Sequence, residues 1–235
     1  MNGSVDESID LRRYDNCLLL AVTGGIATGK TTVATMLETL GARTIDFDTL
    51  AREVVEPGKP AWTQIVDCFG KQILREDGRL DRKKVSEIVF KDGEKRKKLE
   101  GFTHPRIIEA FIEQLDRIVK SEPDAIVQVI MPLLIEANFQ FIFYKILLVY
   151  VPQEKQIERL VKRDGIGREE GWDRLKAQMP IDEKLRYADF VIYNDKSVEE
   201  TRRQVSGLWQ ILKDIQREKR SISFSPNRDA PQKPF

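Results

Sequence analysis

Four residues separate Gly24 from Gly29, Lys30 and Thr31, and this spacing matches the phosphate-loop pattern G-x-x-x-x-G-K-[ST]. Glycines let backbone N–H groups turn around phosphates without Cβ clashes, and the N-terminus of a following helix adds partial positive charge. Lys30 can reach the β- and γ-phosphates of a nucleoside triphosphate, and the Thr31 hydroxyl can bind Mg²⁺. The pattern therefore predicts that the chain binds a nucleoside triphosphate together with Mg²⁺, against the alternative of a Gly-rich turn. The predicted nucleotide-binding residues are Gly24, Gly25, Ala27, Thr28, Gly29, Lys30, Thr31 and Thr32, with Thr31 as metal ligand.

Two carboxylates follow the second predicted strand, which covers residues 43–46. Ligands of a parallel sheet bind outside the carboxyl ends of its strands, so Asp46 and Asp48 belong at the same edge as the loop. There Asp48 could accept the proton of an attacking hydroxyl. The alternative is that Asp48 only caps a helix from Thr49 to Val55 and Asp46 is a turn residue.

Two signals of other nucleotide-binding classes are missing from the sequence. ATPases of the motor and transport type usually carry an acid at the end of an apolar strand, whereas the run at 125–131 ends in Met131-Pro132. A guanine reader would need Asn-Lys-x-Asp, and Asn194-Asp195-Lys196 has the wrong order. These absences favour a kinase for a small molecule. A kinase for a nucleoside or nucleotide stays open, and so does a nucleotide-binding regulatory module without an acceptor.

Several basic residues allow both a structural and a functional interpretation. His104 precedes Pro105, which we expect at the first position of a long helix, so His104 is a cap, a packed residue or a ligand contact. Arg106 would then lie in the first turn, where the helix dipole disfavours it. Arg159 and Arg163 share one helix face and belong either to a solvated helix or to a lid that stabilises a transferring phosphoryl group.

The elements that position these residues alternate between apolar strands and helices. Strand-length apolar runs at 18–22, 125–131 and 145–151 predict parallel strands buried on both faces. The predicted fold class is α/β: a three-layer, phosphate-loop NTPase-like parallel sheet with a helical acceptor-binding insert and a helical lid. We expect a flexible leader (1–16), one kinase domain (17–219) with core segments 17–55, 121–152 and 188–219, an insert (56–120), a lid (153–187) and a disordered tail (220–235).

Composition excludes several partners. Thirty-nine Lys and Arg against 38 Asp and Glu give a net charge of +1, so we expect no nucleic-acid partner. No apolar run reaches the length of a membrane span, and the first sixteen residues lack a signal-peptide core, so we expect no membrane partner. Cys17 and Cys68 have no metal-ligand spacing and are expected to be reduced core thiols. The predicted location is the cytoplasm, with a monomer or weak homo-oligomer.

The ordered motifs resemble the dephospho-coenzyme A kinase family from about Leu19 to Val205. They are the phosphate loop, Ile45-Asp-Phe-Asp48, Ala51-Arg-Glu-Val-Val-Glu-Pro-Gly58, Gly78-Arg-Leu-Asp81, His104-Pro-Arg-Ile107, Pro132-Leu-Leu134 with Glu136, Gln156-Ile-Glu-Arg-Leu160, Arg163-Asp-Gly165, Gln178 and Ala188-Asp-Phe-Val-Ile-Tyr-Asn194. The resemblance implies ATP-dependent phosphorylation of the ribose 3′-hydroxyl of dephospho-coenzyme A, the last step of coenzyme A synthesis.

The resemblance also implies roles for individual residues. Asp48 matches the aspartate that takes the 3′-hydroxyl proton, and Asn194 matches the region near the adenine of ATP. Lys30, Arg159 and Arg163 are implied to join Asp48 in catalysis. The implied acceptor-binding residues are Asp48, Arg52, His104, Arg106, Pro132 and Leu133. The loop departs from the family at Ala27, where glycine is usual.

Overall fold

The computed structural model describes residues 14–223, with side chains through residue 220. Its strands form one sheet in the order β2-β3-β1-β4-β5. They are β1 (Leu18–Thr23), β2 (Arg43–Asp46), β3 (Ile126–Ile130), β4 (Lys145–Tyr150) and β5 (Phe190–Tyr193). β1 pairs in parallel with β3 and β4, and β4 pairs in parallel with β5. The predicted α/β class with a parallel sheet is confirmed.

Helices connect and cover these strands. The α-helices of the described residues are α1 (Lys30–Leu40), α2 (Phe47–Glu53), α3 (Pro60–Phe69), α4 (Arg82–Lys91), α5 (Gly93–Ser121), α6 (Gln153–Asp164), α7 (Arg168–Lys176), α8 (Ile181–Lys184) and α9 (Val198–Ser223). Ser197 and Glu200 exchange hydrogen bonds before α9 and so form a capping box. The strands predicted at 18–22, 43–46, 125–131 and 145–151 agree with the observed bounds to within one residue, because the apolar runs that set them are local.

The chain divides into two compact units. The first comprises the described parts of Met1–Thr44 and Ile118–Phe235, and the second comprises Ile45–Arg117. In the first unit all six residues of β1 are buried, as expected for a central parallel strand. Leu20 and Val22 pack there with Leu37 of α1 and Leu212 of α9. Burying each such side chain contributes about 1.5–3 kcal/mol, which fixes the sheet beneath the phosphate loop.

The second unit has a small core of its own. Ile65, Phe69, Ile73 and Val85 pack together, and an antiparallel bridge joins Leu74 to Leu80. This bridge was not foreseen, because residues 70–80 show only turn signals in the sequence.

Two predicted helix starts are wrong. α2 begins at Phe47 with Asp46 as its N-cap, not at Thr49 with Asp48 as cap. Pro105 lies inside α5 rather than at its first position. Proline in a helix interior costs about 3 kcal/mol. Leu99 and Phe102, which precede it, pack against the core of the second unit, and their burial offsets that cost.

The chain ends and one of the two cysteines also differ from expectation. Tyr14 is buried and Gln216 of α9 donates a hydrogen bond to the carbonyl of Asn16, so residues 14–16 do not fit the predicted flexible leader. α9 continues to Ser223, past the predicted start of the tail at residue 220. The rest of the predicted leader and tail, residues 1–13 and 224–235, lies outside the described residues. Cys17 is buried as predicted, whereas Cys68 is exposed.

Candidate functional site

The phosphate loop joins the buried strand β1 to α1. Gly29, the residue before α1, has a φ of 84°, and Ala27 has a φ of 59°. Both lie in the left-handed region, which glycine enters freely and an L-residue enters at a cost of about 1–2 kcal/mol. Ala27 is therefore a strained point of this loop.

Other elements press closely on the loop. A Cβ at Gly24 would lie 2.6 Å from the carbonyl oxygen of Val149, at the end of β4. A Cβ at Gly29 would collide with the side-chain amide of Asn194. The loop is thus held at the carboxyl end of the sheet, where glycine alone fits these two positions.

The first turn of α1 carries the features of an anion site. Gly29 provides no side-chain cap, and this turn has no acidic residue, so the helix's own residues do not cap its first N–H groups. The Lys30 ammonium donates hydrogen bonds to the carbonyls of Gly24 and Gly25, at 3.0 and 2.8 Å. Thr28 is buried and its hydroxyl donates to the Gly25 carbonyl, whereas Thr31 and Thr32 are exposed. Positive charge and backbone donors therefore converge where phosphates would lie.

Asn194, just after β5, supports the loop from one side. Its Nδ2 donates to the Thr28 carbonyl at 2.8 Å, and its Oδ1 accepts from the Thr201 hydroxyl at 2.9 Å. Arg159 of α6 donates to the Asn194 carbonyl at 2.7 Å. The structure thus connects Arg159, Asn194 and the loop in one hydrogen-bonded series.

Arg163 faces different partners from Arg159. Its guanidinium binds the Asp164 carboxylate with two hydrogen bonds, at 2.7 and 3.1 Å, and raises its own pKa by doing so. Arg174 binds the same carboxylate at 2.9 Å, and these contacts lower the pKa of Asp164. Arg163 is therefore held in an exposed ion-pair network within residues 163–174, whereas Arg159 is bound to the residue that supports the loop.

Sequence reasoning missed a second group of contacts around the loop. The Ile26 N–H donates to Gln178 Oε1 at 3.0 Å, so a residue after α7 holds the loop backbone. The buried Lys184 binds the Glu136 carboxylate at 2.8 Å and the Pro132 carbonyl at 3.1 Å. Gln178 and Glu136 stood among the ordered motifs, but no local signal distinguished Lys184 from the other charged residues of its segment.

Pro132 and Leu133 follow β3 directly. The Pro132 carbonyl accepts a hydrogen bond from Thr23 at the end of β1 as well as from Lys184. The side chain of Leu133 is 46% exposed. The turn after β3 is therefore fixed through its backbone and presents an apolar surface to solvent.

The second unit contains the remaining predicted site residues. Asp46 and Asp48 have different structural roles there. Asp46 Oδ1 accepts hydrogen bonds from the Asp48 and Thr49 N–H groups, at 2.8 and 3.4 Å. Asp46 is half-buried, and Asp48 is exposed as the second residue of α2. The capping role that competed with a chemical role for Asp48 thus belongs to Asp46.

His104 and Arg106 lie in the interior of α5. His104 is exposed, and Arg106 forms an ion pair with Glu109 at 2.8 Å, one turn further along the helix. The expectation that Arg106 sits unfavourably in a first turn is wrong, because α5 begins at Gly93. Arg52, from the last turn of α2, instead lines a cavity with three further arginines.

Comparison with known proteins identifies relatives over most of the chain. A family model described as dephospho-CoA kinase matches residues 18–200. The dephospho-CoA kinase of Geobacter metallireducens is 48% identical over 193 residues, which cover 82% of this chain and 96% of the relative. The dephospho-CoA kinase of Syntrophus aciditrophicus is 42% identical over 220 residues, which cover 93% of this chain and 94% of the relative.

Solved structures agree with these relatives. The dephospho-CoA kinase of Campylobacter jejuni is 30% identical with a TM-score of 0.63, and the match covers 86% of this chain and 98% of that one. A crystal structure of a Thermus thermophilus protein is 31% identical with a TM-score of 0.72, and the match covers 84% of this chain and 97% of that one. Within residues 14–223, no helix is both long and apolar enough to cross a membrane.

Proposed function

Because the chain belongs to the dephospho-coenzyme A kinase family, we propose that it transfers the γ-phosphoryl group of ATP to the ribose 3′-hydroxyl of dephospho-coenzyme A, the last step of coenzyme A synthesis. The family match over residues 18–200 carries this proposal, since it spans the phosphate loop, Asp48 and the lid arginines. The loop geometry supports it, because Lys30 and the uncapped first turn of α1 suit the phosphates of ATP.

In the proposed reaction the 3′-oxygen attacks the γ-phosphorus while its proton passes to the Asp48 carboxylate. The bond between the γ-phosphorus and the bridging oxygen to the β-phosphate breaks, and ADP leaves. Lys30 stabilises the charge on the phosphates, while the backbone N–H groups of the loop orient them. The exposed position of Asp48 supports its role, because the carboxylate does not cap α2. Phosphoryl transfer depends mainly on positioning and charge stabilisation, which these groups supply.

Mg²⁺ is part of the proposal, and the residues present fit it. The Thr31 hydroxyl is exposed at the start of α1 and makes no hydrogen bond to any residue from 14 to 220. A hydroxyl oxygen suits Mg²⁺, which takes its other ligands from water and phosphate. When bound, the ion would neutralise charge on the β- and γ-phosphates.

The remaining assignments complete the proposed site. Arg159 and Arg163 act on the transferring phosphoryl group, and Asn194 lies near the adenine. The acceptor contacts are Arg52, His104, Arg106, Pro132 and Leu133, together with Asp48. The same proposal includes the division into an insert (56–120) and a lid (153–187). It also includes a cytoplasmic location and a monomer or weak homo-oligomer, without nucleic-acid or membrane partners.

The test is a coupled ADP-release assay with ATP, Mg²⁺ and dephospho-coenzyme A. We expect turnover that depends on the acceptor and is reduced by about two orders of magnitude or more in Lys30→Ala. Lys97→Ala, which removes an exposed lysine paired with Glu94, is the matched control and should keep full activity. Adenosine, adenylate and shikimate in place of the acceptor test for a kinase of other specificity. ADP release that dephospho-coenzyme A does not stimulate would overturn the proposal.

A further inference from the structure

The second unit contains a cavity of about 340 Å³ that is rich in arginine. We define the arginine pocket by its lining residues, Arg52, Val55, Glu56, Arg75, Arg79, Leu80 and Arg82. Four guanidinium groups and one carboxylate surround it, so its charge is strongly positive although the chain as a whole carries only +1. Such a local excess of cations is expected where an anion binds.

A tight turn sets two of these arginines opposite each other. The Arg75 N–H donates to the Arg79 carbonyl at 2.9 Å, next to the antiparallel bridge between Leu74 and Leu80. Gly78, with a φ of 77°, makes the turn, and its carbonyl accepts a hydrogen bond from the Trp62 indole at 3.0 Å. Like charges in directly opposed positions destabilise a hairpin. Stability therefore does not explain why both positions hold arginine.

The other two arginines come from helices. Asp81 caps α4 by accepting from the Lys83 and Lys84 N–H groups, which fixes Arg82 as its first residue. A cation at a helix N-terminus is unfavourable, so this position is also costly for the fold alone. Arg52 lies in the last turn of α2. Val55 and Leu80 pack against the core cluster and give the pocket an apolar side.

Little negative charge balances these cations. Arg79 Nε lies 3.2 Å from Glu56 Oε2, and this pair is exposed. The side chains of Arg52, Arg75 and Arg82 form no ion pair and no hydrogen bond with any other residue in the range 14–220. Three guanidinium forks are therefore available to a ligand, and each can bind a phosphate through two parallel N–H···O bonds.

We propose that the arginine pocket binds the 5′-diphosphate group of dephospho-coenzyme A. This inference rests on the proposed function, because that acceptor carries a diphosphate between its adenosine and its pantetheine arm. The phosphates of ATP have ligands of their own, since the loop and Lys30 suit them. Several arginines in one cavity suit two linked phosphoryl groups better than a single carboxylate. Each phosphoryl group can accept a pair of N–H···O hydrogen bonds from a different guanidinium group.

Steady-state kinetics of an Arg75→Gln/Arg82→Gln double variant test the proposal. We expect the KM for dephospho-coenzyme A to rise about tenfold or more, because charge-assisted hydrogen bonds to its diphosphate are lost. The KM for ATP and the kcat at saturating acceptor should stay within about twofold of wild type, since binding rather than chemistry is affected. The Arg75→Lys/Arg82→Lys double variant keeps the positive charges but loses the paired N–H donors of the guanidinium groups. Its KM for dephospho-coenzyme A should therefore lie between those of the wild type and the double glutamine variant.

The control is Arg96→Gln, which removes an exposed arginine of the same unit that pairs with Glu100 outside the pocket. An unchanged KM for dephospho-coenzyme A in the double glutamine variant would overturn the inference while leaving the proposed function intact. A rise in the KM for ATP alone would overturn it too, because the pocket would then serve the nucleotide. Failure of the wild type to use dephospho-coenzyme A would instead show that the proposed function is wrong.

Discussion

The side-chain amide of Asn194 donates a hydrogen bond to the Thr28 carbonyl at 2.8 Å, so the end of β5 holds the phosphate loop although the two residues lie far apart in sequence. The other end of the same amide accepts from Thr201 of α9. Asn194 therefore connects the helix behind the sheet to the loop that we expect to hold ATP.

Asn194→Ala should loosen the loop, because both bonds of the amide are lost. We expect the KM for ATP to rise about fivefold, which corresponds to one hydrogen bond of about 1 kcal/mol. Initial-rate kinetics at varied ATP measure this change. Gln204→Ala is the control, since Gln204 binds the Tyr193 backbone on the same strand but not the loop. Equal effects of the two changes on the KM for ATP would contradict the supporting role.

Ala27→Gly should stabilise the protein. The left-handed φ of 59° costs alanine about 1–2 kcal/mol, and the greater freedom of unfolded glycine removes about 0.5–1 kcal/mol of that gain. The expected net gain is about 0.5 kcal/mol in the free energy of unfolding, measured by urea denaturation. Ala34→Gly, in the interior of α1, should have the opposite sign and lose about 1 kcal/mol. A loss of stability in Ala27→Gly would show that the loop conformation is not strained.

Local patterns in the sequence predicted the strands and the loop well. The buried run of β1 and the glycine spacing of the loop are each contained in a few neighbouring residues, and the helix after them follows from its own apolar period. Contacts that join distant segments left no such trace. Lys184 and Glu136 are 48 residues apart, and neither residue's neighbours indicate that the pair is partly buried.

The errors at α2 and α5 have the same physical origin. Asp46 and Asp48 are both good N-cap residues, so sequence could not decide between them, and the turn of the chain at the end of β2 did. Pro105 usually marks a helix start, but packing of the preceding turn outweighed its cost. The arginine pocket was missed because Arg52, Arg75 and Arg82 converge only after the turn and α4 are formed.

Asp48→Asn should lower kcat by about 10²-fold or more, because the amide cannot accept the 3′-hydroxyl proton. The KM for ATP should change little. Asp46→Asn is a close control: asparagine caps helices as well as aspartate does, so both kcat and the unfolding free energy should be nearly unchanged. Initial-rate kinetics and urea denaturation of the two variants decide the matter. If Asp48→Asn lowered the free energy of unfolding but left kcat unchanged, the role of Asp48 would be structural.

The two cysteines should differ in reactivity. Burial raises the pKa of Cys17 from 9.0 to about 11, an effect that the nearby Lys219 opposes, whereas Cys68 is exposed. At pH 8 iodoacetamide should modify one thiol per native chain and two per denatured chain, as counted by mass spectrometry. In Cys68→Ser no native thiol should react, and rapid labelling of that variant would show that Cys17 is accessible.

The raised pKa of Cys17 makes the free energy of unfolding depend on pH in the alkaline range. The unfolded Cys17 loses its proton near pH 9, and the folded one near pH 11. The unfolded state is therefore favoured progressively as the pH rises from about 9 to 11, and below pH 9 the contribution is fully present. Cys17→Ala, which replaces the CH2SH side chain by a non-titrating methyl group, should flatten the pH dependence of the unfolding free energy across this range. An identical slope in the variant would exclude Cys17 as its source.

Lys184→Met should destabilise the protein by about 2 kcal/mol, because it leaves the Glu136 carboxylate without the buried ammonium at 2.8 Å. The estimate lies below the usual cost of breaking a buried pair, since Glu136 is 23% exposed and also accepts from the Met179 N–H. Lys145→Met is the matched control: its pair with Asp189 is about one third exposed and should cost about 0.5 kcal/mol. Urea denaturation measures both, and adding Glu136→Gln to Lys184→Met should recover part of the loss if the unpaired charge is its cause.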